Sequence, residues 1–486
     1  MTADEFVKIV RKGSEKLRVD GVTINTGGQE LHGKGMIRIS RKRIDAEVTI
    51  DEGAKLPQIR TGIYTKQDNW KVTGLIEDSL RFKCEYAGMP IHTQWSWPGA
   101  APGGITRCTL DLHPIDLIPL GWDAMSRAER KEFLKQNQVN PSNGGTPVTN
   151  AVEGETRDNV SFYATLLKYP LHTSSWGKEI KGETEHFDFV LTKSEDTSDL
   201  RVSLESKKEY TSQGEEKDWK KFHAFMNALA FVNGTNAWPY RIQYWRAGQE
   251  LVDRVAPAKR LAKTIHAPFP ETLAFNARTG SIKWNFPDTI KLITKFFDTE
   301  SALSEEVAYL LFLFRQAGSK GVHRDITTVT LCVLFENLVR HIFKGLKLEE
   351  KARIENPLFN SFEQAKNKII EQMDQQLIAS DGGYKRVQDV IQSAEVFNAK
   401  HMLQTIVSHF GLQWKDDMEP VFKTWQQARH PGIHHSEYAT RTEDDLREIS
   451  LAESRVAGAI NILLLKLFGY SGYMRHSAFE DGYRQI

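Results

Sequence analysis

The chain has 486 residues, 40% of them hydrophobic and 10% aromatic, which is long enough for two or three cores and too apolar for a disordered polypeptide. Its 64 basic and 63 acidic side chains leave a formal charge of +1, which excludes a polybasic hold on nucleic acid as the main mode of binding, so contacts of that kind have to come from local patches. Three cysteines, Cys84, Cys108 and Cys332, contain no CxxC pair, which excludes a disulfide framework and a cysteine zinc site and fits a reducing compartment.

The start, MTADEFVKIVRKG, is acidic where a secretory signal is basic, and no apolar stretch follows it. The longest apolar run, Val307 to Phe314, falls far short of the roughly 18 residues of a membrane span. The expectation is a cytoplasmic protein with no membrane segment. MIRISRKRIDAEVTI alternates apolar and polar residues from Met36 to Ile50, and WKVTGLIED, SLRFKCEYAG, TRCTLDLH, FDFVLT and LRVSLES continue the period of two, as half-buried strands do. SWPGAAPGG and NPSNGGTP between them read as surface loops. A helix is predicted over Asp218 to Val232, where Trp219, Phe222, Leu229 and Val232 recur at helical spacing, and the strand-like PYRIQYWRAG follows it.

Most of the seventeen prolines lie in the first 270 residues, and the proline-containing segment 256–283 carries no sustained period, so it reads as a linker. Beyond it the period becomes 3.6. Helices are predicted from about Asp288, Ser304, Asp325, Ser361, Tyr384, Asn398, Asp417 and Thr442, the last with an apolar stripe from Leu446 to Leu467 and a stop at Gly469. The expected architecture is α+β in two domains. Residues 1–255 form a β-rich domain, sandwich-like or a strongly curved sheet, and residues 284–486 an all-helical bundle.

The segment WQQARHPGIHHSE, Trp425 to Glu437, concentrates the chemistry. Val421, Phe422 and Trp425 place it on an amphipathic helix, and Pro431 with Gly432 stops that helix just after Arg429 and His430. His434 and His435 follow the break. A cation at a helix C-terminus is favourable in its own right, so dipole compensation with solvated histidines is the plain alternative. Zinc fits poorly, because Glu437 is the sole further ligand nearby and no HExxH helix is present. RNA carries its own nucleophile, the 2′-hydroxyl, and its cleavage needs a proton acceptor and a cation for the charge that develops on phosphorus. A histidine and a guanidinium supply both without a metal.

In TVTLCVLFENLVRHIF a carboxylate, Glu336, interrupts a largely apolar face. Buried, it needs a partner, and both Arg340 at i+4 and Arg429 from another helix qualify. The plain alternative is a surface ion pair worth a few tenths of a kcal/mol.

Arg429, polar His430 and His434 together resemble the R-x4-6-H signature of the HEPN superfamily, and Glu336 with Arg340 resembles the E-x3-R pair on an early helix of several HEPN ribonucleases. The resemblance covers residues 285 to 470. The layout, a non-helical region ahead of the helices, resembles ApeA-type abortive-infection proteins of bacteria. His430 departs from the asparagine or aspartate more usual there. The resemblance implies an all-α nuclease domain without metal or cofactor, in which Arg429 and His434 are catalytic, His430 and His435 support them, and Glu336 orients the arginine. It further implies cleavage of RNA, with transfer RNA among the candidate substrates, a homodimer through the helical bundle that brings two motifs to one groove, and an N-terminal domain that answers a phage-derived trigger.

Three other readings are weighed beside it. GQELHGKG, Gly28 to Gly35, matches a phosphate-loop spacing, but Gly35 replaces the magnesium-holding hydroxyl and a strand follows. Asp199, Glu205 and Lys207 resemble the D…ExK set of metal-dependent nucleases. The bundle is also readable as a dimerisation scaffold without catalysis, with the β-rich half binding a partner or nucleotide.

Overall fold

The computed structural model describes residues 1–25, 30–40, 43–50, 69–77, 80–87, 106–112, 115–119, 159–167, 179–194, 197–234, 239–257, 267–269, 286–299, 301–317, 324–376, 391, 397–429, 443–475 and 483–485. The chain divides into two compact units, Met1–Phe222 with Ala237–Leu261, and His223–Asn236 with Ala262–Ile486. The architecture is α+β, with a large antiparallel sheet in the N-terminal half and helices in the C-terminal half.

The first unit opens on a helix, α1 (Ala3–Lys12), that the sequence reading did not anticipate. Thr2 caps it by accepting from the Glu5 amide at 3.2 Å while the Thr2 amide donates to Glu5 Oε2 at 2.7 Å, and Gly13 ends it in the left-handed region at φ 69°. The strands follow as β1 (Ser14–Asn25), β2 (Glu30–Ser40), β3 (Ile44–Ile50), β4 (Asn69–Ile76), β5 (Leu80–Ala87), β6 (Thr106–Asp111), β7 (Ile115–Pro119), β8 (Val160–Leu166), β9 (Glu179–Glu183), β10 (Phe187–Lys193), β11 (Leu200–Ser206), β12 (Arg241–Arg246) and β13 (Gln249–Val255). Among the described residues these thirteen form one sheet in the order β6-β3-β2-β1-β4-β5-β7-β13-β12-β8-β11-β10-β9, with every pairing antiparallel. Hydrogen bonding runs through all of them, so the expected choice between a sandwich and a sheet resolves into a single sheet. The segment Met36–Ile50, expected as one strand, is two, because Ser40 and Arg43 turn the chain between β2 and β3.

Alternation decides which side chains go inside. Phe6 and Val10 of α1 share a core with Val19, Ile37, Val48 and Phe82 from the β1–β7 part. The β8–β13 part buries Phe162 against Trp219 and Phe222, at ring centroid distances of 5.3 and 4.8 Å, from α2 (Glu215–Val232). Two charged networks tie α1 to that part. Arg11 Nε reaches Asp199 Oδ2 at 2.8 Å, where Tyr240 also donates at 3.2 Å, and Arg241 joins Asp4 at 2.6 Å to Asp253 at 2.8 and 2.9 Å. Burial and the Asp199 carboxylate hold the Tyr240 phenol well above its ordinary value.

Half-buried Glu250 lies beside the second network and accepts from Gln243 Nε2 at 2.8 Å. Burial, reinforced by the Asp253 charge, pushes its carboxyl up to about 7 from an ordinary 4.5. The folded chain therefore holds a proton there that the unfolded chain has released, so stability falls as pH rises from about 4.5 to 7 and the loss is complete above it. We expect Glu250→Gln to match wild type near pH 4 and to be more stable at pH 8 by on the order of 1–2 kcal/mol, once screening by solvent is counted. Thermal unfolding across that pH range is the check, and a variant that gains equally at both ends refutes the cause.

The second unit is helical. Its elements are α3 (Phe286–Asp298), α4 (Ala302–Ala317), α5 (Arg324–Gly345), α6 (Glu349–Glu355), α7 (Leu358–Gln376), α8 (Ala399–His409), a π-helical turn Trp414–Met418, α9 (Glu419–Arg429) and α10 (Glu443–Leu467), followed by a small hairpin, β14 (Tyr473–Arg475) with β15 (Tyr483–Gln485). Asn398 caps α8 by accepting from the His401 amide at 3.1 Å, and Gly469 follows α10 at φ 81°. The helix expected from Asp417 begins at Glu419, because the buried Asp417 carboxylate accepts from the Gln413 amide at 2.6 Å and holds the π turn ahead of it. The predicted helix starts at Tyr384 and Thr442 lie outside the described residues. No described helix is long and apolar enough to cross a membrane.

Candidate catalytic site

Helix α9 carries the first half of the motif. Pro420 is tolerated in the first turn, where its missing N–H has no partner to lose, and Val421, Phe422, Trp425 and Ala428 recur on one buried face. Two adjacent residues fix the helix on both sides. Trp425 Nε1 donates to the main-chain oxygen of Cys332 in α5 at 3.0 Å, and Thr424 Oγ1 accepts from Arg455 of α10 at 3.3 Å. The Trp425 ring also meets Phe335 of α5, at 6.2 Å between centroids. Arg429 is the last residue of this helix, one residue beyond buried Ala428. Its side chain, and all of His430, His434 and His435, lie outside the described residues.

Helix α5 carries the carboxylate. The side chain of Glu336 is 16% exposed and accepts from Arg340 Nη2 at 3.0 Å. A position this sheltered is unlike the surface ion pair of the plain alternative. Glu336 stands one helical turn after Cys332, so it shares the face of α5 that receives Trp425. Two motifs ninety residues apart in sequence are thus carried by helices packed directly on each other. Cysteine 332 is itself buried.

Sequence reasoning placed Trp425 on an amphipathic helix but did not foresee its indole N–H as the registering bond, nor the hold of Arg455 on Thr424. A buried tryptophan one turn before the motif was the available signal, since a buried indole N–H seeks an acceptor. Glu453 of α10, 3% exposed, was also not singled out. If the chain cleaves RNA as the sequence resemblance implies, Glu336→Gln should lower the rate less than loss of Arg429 does, because the amide still accepts one hydrogen bond but no longer pairs with a cation. Cleavage rate and thermal stability both unchanged show that the carboxylate has no role at the site.

The D…ExK set does not converge. Asp199 precedes β11 and is held by Arg11 and Tyr240, whereas Glu205 lies near the other end of the strand, six residues or about 20 Å away. Lys207 lies past the strand and pairs with Glu183 at 2.8 Å. These three cannot hold one metal ion, and among the described residues no group of three histidine, cysteine or acidic side chains has metal-binding geometry. The phosphate-loop spacing, set aside in the sequence because a strand follows it, falls in that strand. Gly33 and Gly35 lie in β2, paired with Ile50 and Val48 of β3, and a Cβ at either would collide with a β3 carbonyl, that of Thr49 or Glu47.

Comparison with family models, curated proteins and solved structures found no match to this chain.

Proposed function

We propose that this chain is a metal-independent endoribonuclease of the HEPN type. One observation supports it above the others: the helix that ends at Arg429 is registered by Trp425 onto the helix that carries Glu336 and Arg340. In this reading His434 takes the proton of the 2′-hydroxyl or returns one to the leaving 5′-oxygen, and Arg429 stabilises the charged phosphorane. Glu336 orients the arginine, and His430 and His435 support the pair. The products are a 2′,3′-cyclic phosphate and a 5′-hydroxyl. The chain acts as a homodimer on RNA in the cytoplasm. Its β-rich unit restrains the nuclease until a phage-derived trigger arrives, as an anti-phage defence by abortive infection requires.

The test is incubation of the purified chain with transfer RNA and with total RNA, with and without EDTA. Cleavage that persists in EDTA and leaves cyclic phosphate ends is expected. Cleavage abolished by chelation, or ends carrying a 5′-phosphate, overturns the mechanism.

A further inference from the structure

The β8–β13 part of the sheet has two faces. One buries Phe162 against α2, and the other is polar, because Ser161, Tyr163 and Thr165 alternate with the buried residues of β8. Strand register sets out its central row. Glu183 of β9, Asp188 of β10, Glu205 of β11, Ser161 of β8 and Trp245 of β12 stand opposite one another in successive pairings. Half-buried Tyr163 sets its ring against that of Trp245, at 6.5 Å between centroids and 88° between planes, so the two rings form the walls of a corner. Burial, reinforced by the Glu205 charge, holds the Tyr163 phenol above its ordinary value, which places that carboxylate beside the rings.

The fold alone does not account for this row. Like charges directly opposite one another across strands are destabilising, and here three carboxylates succeed one another. Lys207 offsets Glu183 at 2.8 Å, while Asp188 and Glu205, both exposed, have no ion pair among the described residues. Charge on β9 is expected of the last strand of a sheet, where it deters pairing with another chain, but Asp188 and Glu205 lie one and two strands further in. Trp245 is unexplained in a similar way. Its indole N–H is buried without an acceptor, whereas a tryptophan held for its bulk usually finds one.

Aromatic faces beside uncompensated carboxylates select a cation. The negative row repels phosphate, which sets nucleotides and RNA aside, and no three described ligand side chains have metal-binding geometry, so an organic cation fits. A guanidinium suits the corner better than an ammonium. It is planar, so it lies on a ring face while its edge N–H groups meet a carboxylate two at a time, and it is more weakly hydrated. Free arginine carries a carboxylate of its own, which this row repels, and the row spans about 10 Å across three strands, more than one guanidinium covers. We propose that this face of the sheet is a docking site for an arginine side chain of a partner polypeptide, with the guanidinium against Tyr163 and Trp245 and its charge met by Glu205 and Asp188. The site rests on the sheet and not on the ribonuclease reading, although it gives a chemistry to the trigger which that reading calls for.

The experiment is a ligand-observed NMR titration of the full chain with the blocked peptide acetyl-Gly-Arg-Gly-amide. The same peptide with citrulline, a neutral isostere, in place of arginine is run beside it, as are free arginine and ATP. The expected result is millimolar or tighter binding of the arginine peptide, binding at least about 10-fold weaker for the citrulline peptide and for free arginine, and none for ATP. No binding of the arginine peptide at millimolar concentration overturns the proposal, and so does equal binding of the citrulline peptide or binding of ATP in its place. Free arginine bound as tightly as the peptide overturns a polypeptide as the source. Glu205→Gln and Trp245→Leu should each weaken the arginine peptide about 10-fold, and either variant alone suffices if the other unfolds. Binding unchanged in both puts the peptide elsewhere and overturns the site. Asp188→Asn separates a site from a solvated surface. It should bind the peptide more weakly and yet unfold roughly 1–4 °C higher, because it relieves the repulsion between β10 and β11. A variant that binds as wild type does overturns the part given to the acidic row. RNA cleavage by a chain that does not bind the peptide leaves the ribonuclease standing and removes this site, and peptide binding by a chain without RNase activity does the reverse.

Discussion

A chain carrying Arg429→Ala and His434→Ala should cleave RNA at least about 10²-fold more slowly than wild type, within the 10²- to 10⁴-fold that general acid–base groups typically contribute. The two residues are asked for different work. The histidine exchanges a proton near neutrality, and the guanidinium meets charge that exists only as the phosphorane forms, so the loss should fall on kcat more than on KM. The fold should not suffer. Among the described side chains of α9 Ala428 is the last that is buried, and the bonds described for this helix come from Thr424 and Trp425, upstream of the change. Unfolding temperature and circular dichroism are therefore the controls. A single Arg429 gives one cation for a phosphorane carrying up to two negative charges, and one histidine cannot easily serve both sides of the scissile bond at once. Mixing wild type with an excess of the double variant should for that reason depress activity per wild-type chain. Cleavage by the double variant at the wild-type rate removes Arg429 and His434 from the reaction, and strictly additive activity in the mixture removes the composite site.

What could be read in the sequence was periodic. The stripe of α10 is an example: Ile449, Val456, Ile460 and Leu463 are buried as their spacing requires. It did not reveal that Ile462, Leu464 and Leu465 are buried too, because burial on every side depends on neighbours distant in sequence. The alternation of β2 and β3 was equally plain, and so was the break between them, where Ser40, Arg41, Lys42 and Arg43 shift the apolar residues from odd to even positions, but the stretch was read through as one run. Helix α1 was legible and went unread. Thr2 and Glu5 make a capping box ahead of Phe6, Val7 and Val10, but a first segment without a secretory pattern was considered only for targeting.

The site was legible as residue types and not as geometry. That Glu336 would be sheltered follows from its place among apolar neighbours in α5. That α9 would lie on α5 follows from nothing local, since the bond from Trp425 to Cys332 spans 93 residues. The D…ExK triplet failed for the opposite reason. Lys207 lies past the end of β11, the extended strand carries Asp199 too far from Glu205, and the Asp199 carboxylate belongs to α1 and Tyr240.

The largest loss of stability is expected from Arg241→Met. The guanidinium is 18% exposed and gives two parallel bonds, at 2.9 and 2.8 Å, to Asp253, which is 8% exposed, while its third contact goes to Asp4, 42% exposed. The bidentate fork and the sheltered carboxylate make this unlike a surface pair. Removing the cation leaves Asp253 buried with its charge uncompensated, a change that costs about 3–5 kcal/mol. For a unit of this size that lowers the unfolding temperature by roughly 6–20 °C. Asp4→Asn should cost far less, because its carboxylate keeps water. The decisive comparison is the double variant Arg241→Met, Asp253→Leu. If the loss in Arg241→Met comes from a stranded charge, removing that charge as well restores most of the stability, since apolar residues of similar volume replace a buried pair at little cost. If the guanidinium instead acts by its stem packing along β12 and β13, the double variant stays as unstable as the single one, and denaturant unfolding of the four chains separates the two cases.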